Sequence, residues 1–182
     1  MADETVLIIG AGPIGLSTLE FVKLTGAKLI VLDMNEQRLA FCTEVMGVAH
    51  TLNNFQSDLE QDLRDLTDGH LPDVVFDATG SSASMSNAFN LIAPGGRLVY
   101  VGITTDEVKF RHRVFHKTEG TLLCSRNALP EDFTRIIGLI EEGKINTKPW
   151  ITHRTAFADV PDVFPSFLKP ETGVIKAIIE VD

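Results

Sequence analysis

Two cysteines, Cys42 and Cys124, are all that the 182 residues contain. A disulfide framework needs more, and so does a cysteine-rich zinc site, so the fold must rest on an apolar core. Positive charge is also scarce: 16 lysines and arginines stand against 25 acids, a net charge of −9. A chain this acidic is a poor partner for nucleic acid or for an anionic membrane surface. No apolar run approaches the ~20 residues of a membrane span, and the N-terminus has neither the basic nor the apolar region of a signal peptide. The expectation is a cytoplasmic protein. With 44% hydrophobic and 23% charged residues the chain is no candidate for disorder, and its length suits one full domain but is short for two.

The most telling stretch is Val6-Leu7-Ile8-Ile9-Gly10-Ala11-Gly12-Pro13-Ile14-Gly15, followed by Lys28-Leu29-Ile30-Val31-Leu32-Asp33. It reads as a buried strand, a glycine turn spaced G-x-G-x-x-G, a helix, and a second buried strand ending in a carboxylate. Gly10 allows the tight turn, Gly12 lets the backbone approach a pyrophosphate, and Gly15 allows close packing of helix on strand. The helix start, including Pro13 and Ile14, offers amides and a partial positive charge to phosphates. Asp33 stands near the expected spacing of ~20 residues and suits the ribose hydroxyls of an adenosine. The chemistry implied is dinucleotide binding, with NAD favoured over NADP because a carboxylate repels a 2′-phosphate. Arg38 lies close enough in sequence to complicate that choice.

Further along, strand-like runs alternate with amphipathic stretches, the pattern of a parallel sheet wound on both faces. The spacing predicts strands at 5–9, 28–32, 49–52, 73–78, 97–101 and 121–125. Helices are expected at 13–24, from Asn35 as N-cap, at 56–67 on the spacing of Leu59, Leu63 and Leu66, at 84–92, and from Pro130 to Gly143. This is a Rossmann-type α/β fold with a doubly wound, six-stranded parallel sheet over residues 1–147. Residues 148–182 do not fit it: they read as a strand at 151–157, a short helix at 159–168, a turn, and a strong strand at 174–181. A finished six-stranded domain has no place for that last strand.

These pieces together resemble the coenzyme-binding domain and C-terminal tail of the medium-chain, zinc-type alcohol and polyol dehydrogenases. The likeness rests on Val6–Gly15, the Asp33 and Arg38 pair, Phe76-Asp77-Ala78-Thr79-Gly80, and Gly95-Gly96-Arg97-Leu98-Val99-Tyr100-Val101-Gly102. A narrower likeness to the polyol and sugar-acid branch, such as sorbitol and L-galactonate dehydrogenases, rests on Phe115-His116-Lys117-Thr118-Glu119 and on Ser125-Arg126-Asn127-Ala128-Leu129-Pro130-Glu131-Asp132-Phe133. The resemblance implies reversible oxidation of a secondary alcohol, with zinc polarising the substrate oxygen and hydride passing to NAD. It implies Arg38 beside the adenosine, and Thr79, Gly80, Val101, Gly102 and Ile103 bordering the ribose and nicotinamide. Cys124, Ser125 and Arg126 end the sixth strand in a third such position. The family holds its zinc in an N-terminal, GroES-like catalytic domain, which this sequence lacks, and the tail of family members returns to complete that domain. The chain is therefore expected to be a piece of a longer dehydrogenase, binding cofactor but not catalytic alone, with no catalytic or metal-ligating residue of its own. Homodimers or homotetramers are expected, the dimer by pairing of the sixth strand across a two-fold axis, and a small-molecule alcohol as the substrate of the whole enzyme.

Two other function classes compete with that reading. A nicotinamide-sensing regulatory module would need the same glycine turn but not the dehydrogenase-like tail. An S-adenosylmethionine-dependent methyltransferase would also use Asp33 on a ribose, but not the full glycine spacing. The basic run Arg111-His112-Arg113-Val114-Phe115-His116-Lys117 is expected to be a solvated loop. Its His112 and His116 could ligate a metal only if helical, and lack a third ligand nearby. Cys42, on an apolar helical face, reads as a core thiol.

Overall fold

The computed structural model describes residues 3–53 and 58–181. Six strands, β1 (Thr5–Ile9), β2 (Lys28–Asp33), β3 (His50–Asn53), β4 (Val74–Asp77), β5 (Arg97–Tyr100) and β6 (Thr121–Cys124), pair in parallel in the order β3-β2-β1-β4-β5-β6. Aliphatic and β-branched runs with little alternation form the central strands, because a parallel sheet is covered on both faces. Between them run α1 (Pro13–Lys23), α2 (Glu36–Glu44), α3 (Leu59–Leu66), α4 (Ser82–Ala88) and α5 (His112–Thr118), with α6 (Pro130–Glu141) after the last strand.

Right-handed crossovers sort these helices. Strand order runs outward one way from β1 to β3 and the other way from β4 to β6, so α1 and α2 cover one face and α3 to α5 the opposite one. The strands' period of two divides the core accordingly. Val6 and Ile8 join Leu16 and Leu19 of α1 and Leu39 and Cys42 of α2. Leu7 and Ile9 join Leu63 of α3, Met85 and Ala88 of α4, and Phe89, with Phe115 of α5 packed against them.

Most expected elements appear within a few residues of their expected bounds, and the departures have local causes. The helix expected at 84–92 begins earlier, because the Ser81 hydroxyl accepts the Ser84 N–H at 3.4 Å and caps it. The expected helix at 56–67 has Gln56 and Ser57 outside the described residues; what is described starts at Leu59, capped by Asp58. The basic run at 111–117 is not a loop. It forms α5, because Phe115 must pack edge-on against Phe89 (ring centroids 5.0 Å apart) to close the second core, while its charged residues stay in water.

The segment after α6 builds a small sheet of its own. β7 (Ile151–Ala156) and β8 (Lys176–Glu180) pair in parallel, joined through α7 (Val160–Phe167). The strand for which the large sheet has no place therefore finds its partner within the tail. Trp150 and Ile175 pack against the core on the α1 side, and Glu20, buried in α1, accepts the Asn146 N–H at 3.1 Å.

Candidate functional site

The strand order reverses between β1 and β4, so the loops leaving their C-terminal ends diverge and open a crevice. Gly10, Gly12 and Gly15 lie on the β1 side. Gly10 has φ +99°, and its N–H donates to the Leu32 carbonyl at 2.7 Å, locking the turn onto β2. A Cβ on Gly15 would stand 1.7 Å from the Gly10 carbonyl oxygen, a clash no adjustment of a side chain relieves. Gly12 is the N-cap of α1 and supplies no side-chain acceptor; Pro13 has no N–H to satisfy, and Ile14 stays half exposed. The amides of that first turn are thus left for a ligand, with the positive end of the helix dipole behind them.

Asp33, the last residue of β2, is buried. One carboxylate oxygen accepts the Ala11 N–H at 2.6 Å and the other the Asn35 N–H at 2.8 Å. Each oxygen keeps further lone-pair capacity. Asn35 in turn caps α2, accepting from the Gln37 and Arg38 amides at 2.9 and 3.2 Å. Arg38, carried on the first turn of α2, reaches back over the glycine turn, its Nη1 3.8 Å from where a Gly12 Cβ would stand. A cavity of about 310 Å³ opens beside it, between α2 and the tail, lined by Arg38, Phe41, Phe167 and Lys169 among others.

Across the crevice, Thr79 and Gly80 leave β4, and Val101, Gly102 and Ile103 leave β5. Here the loops interlock. A Cβ on Gly102 would lie 2.5 Å from the Gly80 nitrogen, and one on Gly80, at φ +68°, 2.9 Å from the Ile103 carbonyl oxygen. The Thr79 methyl comes within 3.1 Å of where a Gly10 Cβ would be, so the loops after β1 and β4 touch. Cys124, Ser125 and Arg126 stand apart, exposed at the end of the edge strand, two strands beyond β4; the Ser125 N–H donates to the Tyr100 carbonyl at 2.8 Å.

The structure adds Asp77, fully buried between these loops. The sequence holds a signal for it: a carboxylate closing an apolar run and followed two residues on by a threonine, the spacing of a side chain that folds back on its own backbone. Cys42 lies in the core, where burial, and then the charge of Asp33, pushes its thiol up to about 12. The rings of His112 and His116 lie 5.4 Å apart on α5. Among the described residues no group of three or more histidines, cysteines or acids could hold a metal ion, and no helix is long and apolar enough to cross a membrane.

Known proteins share this fold. A family model described as zinc-binding dehydrogenase matches residues 13–142. The L-galactonate-5-dehydrogenase of Escherichia coli K12 is 37% identical over 176 residues, which is 97% of this chain and 52% of that protein. A zinc-dependent alcohol dehydrogenase 2 from Streptococcus pneumonia, solved without ligand, superposes with a TM-score of 0.91 at 25% identity, over 99% of this chain and 52% of that one. An alcohol dehydrogenase from Escherichia coli CFT073, solved with its cofactor NADH, gives a TM-score of 0.85 at 26% identity, over 98% and 52%. The chain spans about half the length of the relatives it matches.

Proposed function

The chain belongs to the zinc-binding dehydrogenase family, and on that premise we propose that it is the NAD-holding part of an oxidoreductase acting on a secondary alcohol of a polyol or sugar acid. Asp33 carries the reading. It is a buried carboxylate at the end of the second strand, held by two amides beside a turn whose Gly15 admits no side chain. A carboxylate so placed suits the paired hydroxyls of an adenine ribose and disfavours a 2′-phosphate, so NAD is the preferred cofactor.

On this reading Gly10, Gly12, Pro13, Ile14 and Gly15 receive the pyrophosphate at the start of α1. Asp33 and Arg38 hold the adenosine. Thr79, Gly80, Val101, Gly102 and Ile103 border the ribose and nicotinamide, with Cys124, Ser125 and Arg126 as the outer wall. When bound, NAD supplies the hydride acceptor. The residues of this chain bind and orient it and keep water from its inner side; none of the set is placed as a general acid or base. Residues 1–147 form the cofactor domain, and 148–182 belong with the second domain of the whole protein. The described residues do not fit a zinc ion, since no group of three or more histidines, cysteines or acids among them could hold one. Small-molecule alcohols are the substrates of the whole enzyme, and its setting is the cytoplasm, where Cys42 and Cys124 stay reduced.

The test is a fluorescence titration with NADH and NADPH, and a calorimetric one with S-adenosylmethionine. The expected order is NADH well ahead of NADPH, with no binding of S-adenosylmethionine. Equal or tighter binding of NADPH overturns the cofactor assignment, and preference for S-adenosylmethionine overturns the dinucleotide reading altogether.

A further inference from the structure

The carboxylate of Asp77 has no part in the reading above, yet it is the most deeply buried acid of the described residues. No lysine, arginine or histidine among them pairs with it. A buried charge without a cation has to be satisfied by hydrogen bonds, and Asp77 is. One oxygen accepts both the N–H and the hydroxyl of Thr79, at 2.9 and 2.7 Å; the other accepts the Ser84 hydroxyl at 2.6 Å. The main-chain carbonyl of Asp77 accepts the Val101 and Gly102 amides at 3.0 and 2.9 Å, and the next residue, Ala78, donates its N–H to Ile9 at 2.9 Å. One residue thus binds the loop after β4, the loop after β5 and the first turn of α4, next to a bond onto the end of β1.

The bond to the Thr79 hydroxyl has a steric consequence. It holds that side chain in one rotamer, and in that rotamer the methyl lies against Gly10. The same hydroxyl accepts the Ser81 N–H at 3.0 Å, and Ser81 caps α4. Around this knot there is no slack, because Gly80 and Gly102 already meet neighbouring backbone at distances that exclude a side chain. Tyr100, across the strand pair from Asp77, donates its hydroxyl to the Met85 carbonyl at 2.6 Å; burial, and then the charge of Asp77, holds that phenol protonated well above its ordinary range.

We propose that Asp77 is a positioning residue: through Thr79 and Ser84 it fixes the loops after β4 and β5 in the single shape that receives the nicotinamide half of the dinucleotide. The inference rests on the dinucleotide reading. It assigns to Asp77 no contact with the cofactor, and it separates the two halves of the cofactor energetically, since Asp33 and the glycine turn hold the adenosine half by other bonds.

The experiment compares Asp77→Ala, Asp77→Asn and Ser84→Ala for binding of NADH and of ADP-ribose, which lacks the nicotinamide. Urea unfolding and amide exchange at Thr79 and Gly102 are followed in parallel. Asp77→Ala is expected to weaken NADH about tenfold, the scale of losing hydrogen bonds to a charged group, and to leave ADP-ribose within about twofold. Asp77→Asn restores most of the NADH affinity, because its carbonyl oxygen still accepts from Thr79 and the Ser84 hydroxyl can turn to accept from the new amide. Faster exchange at Thr79 accompanies the loss. Should Asp77→Ala not fold, Ser84→Ala carries the test, with a loss of about threefold for NADH alone. Equal losses for NADH and ADP-ribose that track lost stability would show a merely structural carboxylate and overturn the proposal. Unchanged NADH binding in all three variants overturns it too. If the unmutated chain binds neither ligand, the dinucleotide reading itself is what fails.

Discussion

At the scale of single residues, Asp33 does two jobs that substitution cannot separate. Its carboxylate is the group proposed to take the ribose hydroxyls, and it also bonds the Ala11 and Asn35 amides that shape the glycine turn and the start of α2. Asp33→Ala is therefore expected to narrow the preference for NADH over NADPH while weakening both, rather than to exchange one for the other. Titration of each cofactor against the variant decides it, and a gain in absolute NADPH affinity speaks against the coupling. Two glycines test the packing in opposite directions. Gly15→Ala places a methyl on the Gly10 carbonyl and should cost about 1–3 kcal/mol or more, with loss of NADH binding. Gly138, inside α6 with nothing near its missing side chain, should gain about 0.5–1 kcal/mol on replacement by alanine. Urea melts measure both. Cys42 adds a pH dependence whose sign follows from its raised thiol. The unfolded chain ionises at an ordinary 9.0, the folded one at about 12, so stability present below pH 9 is lost progressively as pH rises between them. Cys42→Ala should flatten that decline in melts across the alkaline range.

At the scale of elements, the pieces legible in the sequence were those whose signal is local. β1, the glycine turn, β2 and Asp33 were readable together because backbone approach and burial each demand a particular residue type at a particular spacing. α2 was readable from Asn35, whose side chain does cap it. α5 was not, since its sequence is basic on its exposed side and its reason for being a helix is Phe89, more than twenty residues away. The same holds for Asp77: its neighbours announce a turn, but only the folded loops make it a junction. The partner of β8 also escaped the sequence, which has no way of stating that a tail can pair with itself. β6 lies at the sheet edge, exposed along its length, with Leu122 and Leu123 in water. An open edge of this kind invites a second strand, and we propose a dimer formed by two such edges across a two-fold axis. The Thr121 and Ser125 amides donate inward to β5, so alternation turns the Leu122 amide outward. Leu122→Pro removes an outward donor without touching the β5 ladder. Light scattering should give a dimer for the unmutated chain at micromolar concentration and a monomer for the variant. A monomer in both cases removes the interface.

At the scale of the whole molecule, the decisive matter is the dispersal of its metal-binding side chains. The chain has five histidines and two cysteines. Cys42 is buried in the core on the α1 side and Cys124 sits at the far edge of the sheet. His50 lies on the opposite edge strand, His70 in the loop between α3 and β4, His153 on the small second sheet, and the rings of His112 and His116 lie 5.4 Å apart on α5. A structural zinc asks for four nitrogen or sulfur ligands in a tetrahedron, and a catalytic one for three with an open position. A pair of exposed histidines on one helix supplies two, which leaves any bound ion mostly to water and easily removed. The purified 182-residue chain is therefore expected to bind NADH, to retain well under one zinc per chain after dialysis, and to oxidise neither L-galactonate nor sorbitol at a measurable rate with NAD. Elemental analysis and an absorbance assay for NADH formation test the two halves of this separately. About one tightly held zinc per chain contradicts the ligand argument. Turnover in the absence of such a zinc contradicts something larger, the assignment of these residues to cofactor binding alone, because an acid or base would then have to be found among them.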